Sequence, residues 1–143
     1  SLQPVAATKN LTLELHAPSA PLPPVDADED RLRQVFDNLI GNALKFTPSG
    51  GSITVALGKA DAWAFAEVRD TGPGLGPADF AKIFAPHQRL SAKPTGKNED
   101  STGLGLFIAR ELLTLQGGRL EVQSQPGCGA VFRVLLPVAV RSV

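Results

Sequence analysis

The 143-residue chain contains no methionine and no tyrosine, and only one cysteine and one tryptophan. A single Cys128 permits no internal disulfide, and with two histidines it offers no Cys/His tetrad for a structural zinc. The cysteine usage suits a reducing compartment. Neither charge sign dominates: 14 Lys and Arg face 14 Asp and Glu. That balance removes the basic footprint with which proteins bind phosphate backbones or anionic lipid, so no nucleic-acid partner and no membrane contact are expected. No apolar run approaches the roughly 18 residues of a membrane span, and the start of the chain lacks a charged-then-apolar signal pattern. Without even an initiator methionine, the sequence from Ser1 reads as a piece of a longer protein. At this length one domain is the prior, able to bury about two-thirds of the surface its unfolded chain would expose.

What is present is regular apolar periodicity broken by Gly and Pro. Leu11, Leu13 and Leu15 alternate with polar residues, as in a half-buried strand. From Asp28, a good N-cap, apolar residues recur at Leu32, Val35, Phe36, Leu39, Ile40, Ala43 and Leu44, predicting a helix to about Phe46. Thr47-Pro48-Ser49-Gly50-Gly51 then stops it. Ile53 to Leu57 and Trp63 to Asp70 read as a hairpin, with a turn over Gly58 to Asp61. A Gly/Pro cluster leads to a short helix near Ala78 to Phe84, then a polar stretch from His87 to Thr102 without periodicity. A further helix runs from about Gly103–Gly105 to Gly117-Gly118, and a last hairpin crosses Pro126-Gly127-Cys128-Gly129. Hairpins interrupted by single helices predict a two-layer α/β sandwich on a mixed sheet, and not a doubly wound parallel one.

Several residues could carry chemistry. Asn38, Asn42 and Lys45 share one polar strip on the first helix, bordering its apolar stripe. An amide oxygen suits Mg²⁺ and an ammonium suits phosphate, yet taken alone the strip reads best as a solvated helix face. Asp70 ends a row formed by Ala64, Ala66 and Val68, so its carboxylate must find donors. Two readings stand equal: the exocyclic amine of an adenine, with room for a flat ring over the small side chains, or the amides of the Gly72 to Gly76 turn. The glycine clusters Gly72-Pro73-Gly74-Leu75-Gly76 and Gly103-Leu104-Gly105 match neither a Rossmann fingerprint nor a P-loop. The second opens a helix, however, and follows a stretch carrying Arg89, Lys93 and Lys97, a combination suited to phosphate. Trp63 and Phe65 read as packing on a sheet face, and Cys128 as inert.

Order and spacing add what single motifs lack. Asp37-Asn38-Leu39-Ile40-Gly41-Asn42-Ala43-Leu44-Lys45-Phe46-Thr47-Pro48-Ser49-Gly50-Gly51 resembles the N box of the catalytic, ATP-binding domain of two-component sensor histidine kinases. These belong to the gyrase, Hsp90, histidine kinase and MutL superfamily. Asp70-Thr71-Gly72-Pro73-Gly74 is similar to the G1 box, Ile83-Phe84-Ala85-Pro86-His87 to the F box, and Ser101-Thr102-Gly103-Leu104-Gly105-Leu106 to the G2 box. The resemblance spans about residues 11–137. His87 stands where the family usually has a second Phe, and Ser101 where the G2 box has its first Gly.

The resemblance implies a Bergerat-type fold, a five-stranded mixed sheet with three helices on one face, and an ATP lid over about residues 85–102. It implies ATP and Mg²⁺ as cofactors: Asn42 on the metal, Asn38 and Lys45 along the phosphates, Phe46 beside them, and Asp70 on the adenine amine. Gly72 and Gly74 would let the backbone approach the base, Thr102, Gly103, Leu104 and Gly105 would cradle phosphate, and Arg89 would be the lid's basic residue. Asn38 occupies the position at which the superfamily's ATPase clamps carry a glutamate base, and an amide takes no proton at neutral pH. The expected activity is therefore transfer of the γ-phosphoryl to a histidine on a separate helical dimerisation domain, upstream of a response regulator. The expected location is the cytoplasm, whether or not the parent protein is membrane-anchored. The alternative is a docking and signal-relay module that keeps the fold without turnover. A serine kinase of the anti-sigma type is disfavoured by the KFTPSGG stretch.

Overall fold

The computed structural model describes residues 6–7, 9–18, 21–80, 82–85 and 105–139. Its first helix, α1 (Glu29–Phe46), begins where the capping residue dictates. Asp28 Oδ1 accepts the N–H groups of Asp30 at 3.0 Å and Arg31 at 3.2 Å. Glu29 and Asp30 in the first turn and Lys45 in the last complement the helix dipole. At the far end Thr47 takes extended backbone, as the residue before a proline must. Lys9, ahead of the first strand, donates to the carbonyls of Leu44 and Lys45, groups that the helix itself leaves unpaired.

Strands β1 (Thr12–His16), β2 (Ser52–Ala60), β3 (Trp63–Asp70), β4 (Arg119–Ser124) and β5 (Ala130–Pro137) form one sheet in the order β1-β2-β3-β5-β4. β1 runs parallel to β2, because α1 crosses over between them, and the remaining pairs are antiparallel. This is the mixed five-stranded sheet expected. The register aligns Leu15, Val55, Val68, Phe132 and Val122 in one row and Leu57, Ala66, Val134 and Leu120 in the next. Val68 and Val134 are buried there, against Val35 and Leu39 of α1 and Ala109 and Leu113 of α3 (Gly105–Leu115). The two long helices also pack on each other, making the second layer.

The opposite face is covered by its own side chains. The guanidinium of Arg119 lies 5.7 Å from the Trp63 ring centroid and that of Arg133 5.3 Å from Phe65. Arg133 is itself bonded to Glu67 across the sheet. Both aromatic residues thus pack on the sheet face, as the alternation predicts.

Two elements differ from expectation. β2 runs on through Gly58 to Ala60, leaving only Asp61 and Ala62 as the hairpin turn, with Asp61 at φ 54°. Gly58 is in the strand because the Phe65 ring crosses over it: an added Cβ would fall 2.4 Å from that ring. The short helix α2 (Pro77–Phe80) is a single turn, and after it Lys82 N–H donates to Asp79 O and Ala85 N–H to Lys82 O, both i→i+3 bonds. Among the described residues no helix is long and apolar enough to cross a membrane.

Leu39 is 1% exposed at the centre of the helix–sheet interface. Leu39→Ala is expected to cost about 2–5 kcal/mol in urea denaturation, the range for a leucine cavity that cannot collapse. An unchanged urea midpoint would place α1 outside the core.

Candidate functional site

Asp70, the last residue of β3, is a carboxylate at the edge of an apolar layer. Its Oδ1 accepts the N–H of Gly72 at 2.9 Å and that of Ala130 at 3.3 Å. Both bonds fall on the same oxygen, so Oδ2 has no hydrogen bond among the described residues. The turn-amide reading of Asp70 therefore accounts for one oxygen and leaves the other for a further donor. Burial pushes the carboxyl above its ordinary value, an effect that the two N–H bonds only partly offset.

Asp70 lines a narrow pocket of about 30 Å³ with Asn42, Phe46, Pro73, Gly74, Leu75, Ala130 and Phe132. The apolar wall comes from β5 and the loop after β3. Ala66 and Val68, which the sequence reading put under a flat ring, are buried in the core instead and do not line the pocket.

The loop after β3 is locked to the β4–β5 turn. Gly127 donates to Pro73 O at 2.7 Å, and Leu75 N–H donates to Ser124 Oγ at 2.8 Å. Two glycines make this contact possible. An added Cβ at Gly74 would lie 2.1 Å from Gln125 O, and one at Gly129 2.1 Å from Asp70 O; both residues have φ near +73°. Gly74 thus permits the approach of another loop's backbone. Gly72 is tight for a different reason, since its Cβ would meet Asp70 Oδ1 at 3.0 Å. Beyond the doubled glycine of Gly127-Cys128-Gly129, nothing local in the sequence marks Ser124, Gly129 and Ala130, where Pro126 to Gly129 reads as a plain hairpin turn.

On α1, the polar strip divides. Asn42 and Phe46 face the pocket, whereas Lys45 is half-buried at the same helix end and does not line it. Asn38, one turn earlier, meets the start of α3: an added Cβ at Gly105 would lie 3.9 Å from Asn38 Cβ and 4.0 Å from its Oδ1. The Nδ2 of Asn38 is buried and has no hydrogen-bond partner among the described residues. An unused amide donor beside the positive end of an 11-residue helix has the polarity of an anion site. Elsewhere on α3, Arg110 lies over the Phe84 ring, 5.3 Å from its centroid, and Ile83 is buried. Arg89, Thr102, Gly103 and Leu104, with His87 and nearly all of the expected lid, lie outside the described residues.

Among the described residues no group of three or more His, Cys, Asp or Glu could hold a metal on its own. Asn42 offers a single hard oxygen, which fits a cation that brings phosphate and water ligands with it. Cys128 is exposed in the turn.

Because the native carboxyl of Asp70 binds its proton more tightly than the unfolded one, its contribution to stability is full below about pH 3.8 and is lost as pH rises through the native value. An asparagine keeps an oxygen for both N–H donors without the buried charge. Asp70→Asn should therefore melt at or above the wild-type temperature at pH 7, with the difference shrinking toward pH 3.5. A variant clearly less stable at pH 7 would contradict the burial of the charge.

Residues 27–140 match the family described as histidine kinase-, DNA gyrase B-, and HSP90-like ATPase. Over 131 residues the chain is 37% identical to the adaptive-response sensory kinase SasA of Synechococcus sp. strain CC9311, covering 91% of this chain and 33% of that protein. It is 40% identical over 121 residues to the histidine protein kinase DivJ of Caulobacter vibrioides, covering 82% of this chain and 20% of DivJ. The chain therefore spans a third or less of these relatives. The crystal structure of full-length ShkA in complex with AMPPNP superposes with a TM-score of 0.79 at 33% identity, covering 98% of this chain and 28% of ShkA. The chain belongs to the histidine kinase-, DNA gyrase B- and HSP90-like ATPase family, as a catalytic ATP-binding domain of the sensor histidine kinase kind.

Proposed function

We propose that this chain binds Mg²⁺·ATP and donates the γ-phosphoryl group to a histidine on a separate helical dimerisation domain, from which a response regulator receives it. The observation that carries the reading is the division of labour at Asp70. One carboxylate oxygen is consumed by backbone N–H groups, and the other is left at the wall of a pocket, where it can accept from an exocyclic amine. An adenine presents such an amine; a guanine presents a carbonyl at the same ring position, against which a carboxylate is repelled. Asp70 thus supplies both affinity and base selection.

The rest of the site continues the polarity that a nucleotide has. Asn42 at the pocket mouth offers a metal-binding oxygen, and Asn38 with the N-terminus of α3 offers donors for phosphate oxygens. The bound Mg²⁺ would neutralise part of the charge on the phosphates and so favour attack on them. Lys45, Arg89 and the backbone of Thr102 to Gly105 are assigned to the same charge balance. Asn38 cannot take a proton from water at neutral pH, which favours transfer to an incoming imidazole over hydrolysis. What this chain does in that transfer is positioning and charge stabilisation.

Calorimetric titration of the chain with ATP and with GTP, each with and without Mg²⁺, tests the reading. ATP is expected to bind at least about tenfold more tightly than GTP, the scale of one lost hydrogen bond to a charged group. Asn42→Ala should remove most of the Mg²⁺ dependence while leaving metal-free binding close to wild type. No binding at millimolar ATP, or equal affinity for both nucleotides, would refute the proposal.

A further inference from the structure

Ser124 ends β4 on the helix-covered face, two places on from Val122 and four from Leu120, and it pairs with Ala130 across the hairpin. Strand alternation calls for an apolar residue there, yet the position holds a hydroxyl that is used twice. Ser124 Oγ accepts the N–H of Leu75 at 2.8 Å and donates to the carbonyl of Gly129 at 2.6 Å. Leu75 belongs to the loop that leaves Asp70. Gly129 belongs to the turn whose next residue, Ala130, gives Asp70 its second N–H bond. One side chain therefore joins the two backbone segments that flank the carboxylate.

The contact it holds is a tight one. Gly129 sits at φ 73° with its Cα so close to the Asp70 carbonyl that no side chain fits between them. The Ala130 N–H reaches Asp70 Oδ1 at 3.3 Å, longer than the usual 2.9–3.0 Å, so a small retreat of the turn breaks it. Removing the hydroxyl deprives Leu75 N–H of its acceptor and Gly129 O of a donor, and both losses loosen the same junction.

We infer that Ser124 is a positioning residue for Asp70: its hydroxyl clamps the β4–β5 turn to the loop after β3 and so fixes the direction in which Asp70 Oδ2 meets the base. The inference rests on the nucleotide reading above for its ligand, but the clamp itself is a property of the unliganded chain. It assigns base selectivity to a residue outside all four motifs that carry the family resemblance.

The test uses the full chain as wild type, Ser124→Ala and Ser124→Thr. Two quantities are measured: the ATP-to-GTP affinity ratio by calorimetry, and the titration of the Asp70 carboxyl carbon by ¹³C NMR without nucleotide. Ser124→Ala is expected to reduce the ATP preference about tenfold, ATP binding weakening and GTP binding holding. The same variant should titrate at a higher pH than wild type, because a bond that favours the ionised carboxylate is loosened. Ser124→Thr, which keeps the hydroxyl, should restore both. An unchanged titration overturns the clamp, and so does an equal loss of ATP and GTP binding in Ser124→Ala. Should the alanine variant not fold, Ser124→Cys keeps the volume with a weak donor and acceptor and carries the same comparison. A wild-type chain that binds neither nucleotide refutes the proposed function alone, since the NMR arm still decides the clamp.

Discussion

The site depends on a buried-edge carboxylate that its surroundings only half satisfy. Asp70 extends the inward-facing pattern of β3, where Ala66 and Val68 are enclosed, and the loop after β3 and the start of β5 each supply one backbone N–H to a single oxygen. That is enough to keep the charge in place and too little to make it comfortable, which is why burial still pushes its pKa upward. A group so held is poorly matched to an empty pocket and well matched to a ligand with one more donor. The surrounding features follow from keeping it there. They include Gly74 and Gly129 at left-handed φ, the bond from Gly127 N–H to Pro73 O, and the Ser124 hydroxyl between the two loops.

The sheet order is what makes this arrangement possible. β5 lies between β3 and β4, so the turn entering β5 arrives beside the end of β3 although some sixty residues separate Asp70 from Ala130. The parallel crossover through α1 returns the C-terminal end of that helix, with Asn42 and Phe46, to the same corner. The start of α3 comes in against Asn38. Four segments distant in sequence thus meet at one end of the sandwich, while its centre is filled by valine, leucine and alanine. Leu75, Ala130 and Phe132 belong both to the core and to the pocket wall.

Features that depend on local chemistry were legible in the sequence. α1 could be read to its ends, because the Asp28 cap, the apolar stripe and Pro48 all act within a few residues. The mixed sheet followed from hairpins interrupted by helices, and the motif order pointed to the family. Features that depend on distant neighbours were not legible. Gly58 looked like a turn residue because nothing nearby reveals that Phe65 needs the space above it. Ala66 and Val68 looked like a floor for a base, but helix packing claims them for the core. The β4–β5 turn carried glycines whose purpose becomes visible only when β5 is set beside β3.

Asp70 is held at a cost to the fold, and on the proposed function that cost serves a ligand with a matching donor. Thermal unfolding of wild type and Asp70→Asn at pH 7, each with and without Mg²⁺·ATP, addresses it most directly, since a ligand that binds only the native state raises its melting temperature. Nucleotide is expected to raise the wild-type midpoint and to shift that of Asp70→Asn much less, although the variant starts at or above the wild type. Equal upward shifts in both proteins would contradict it.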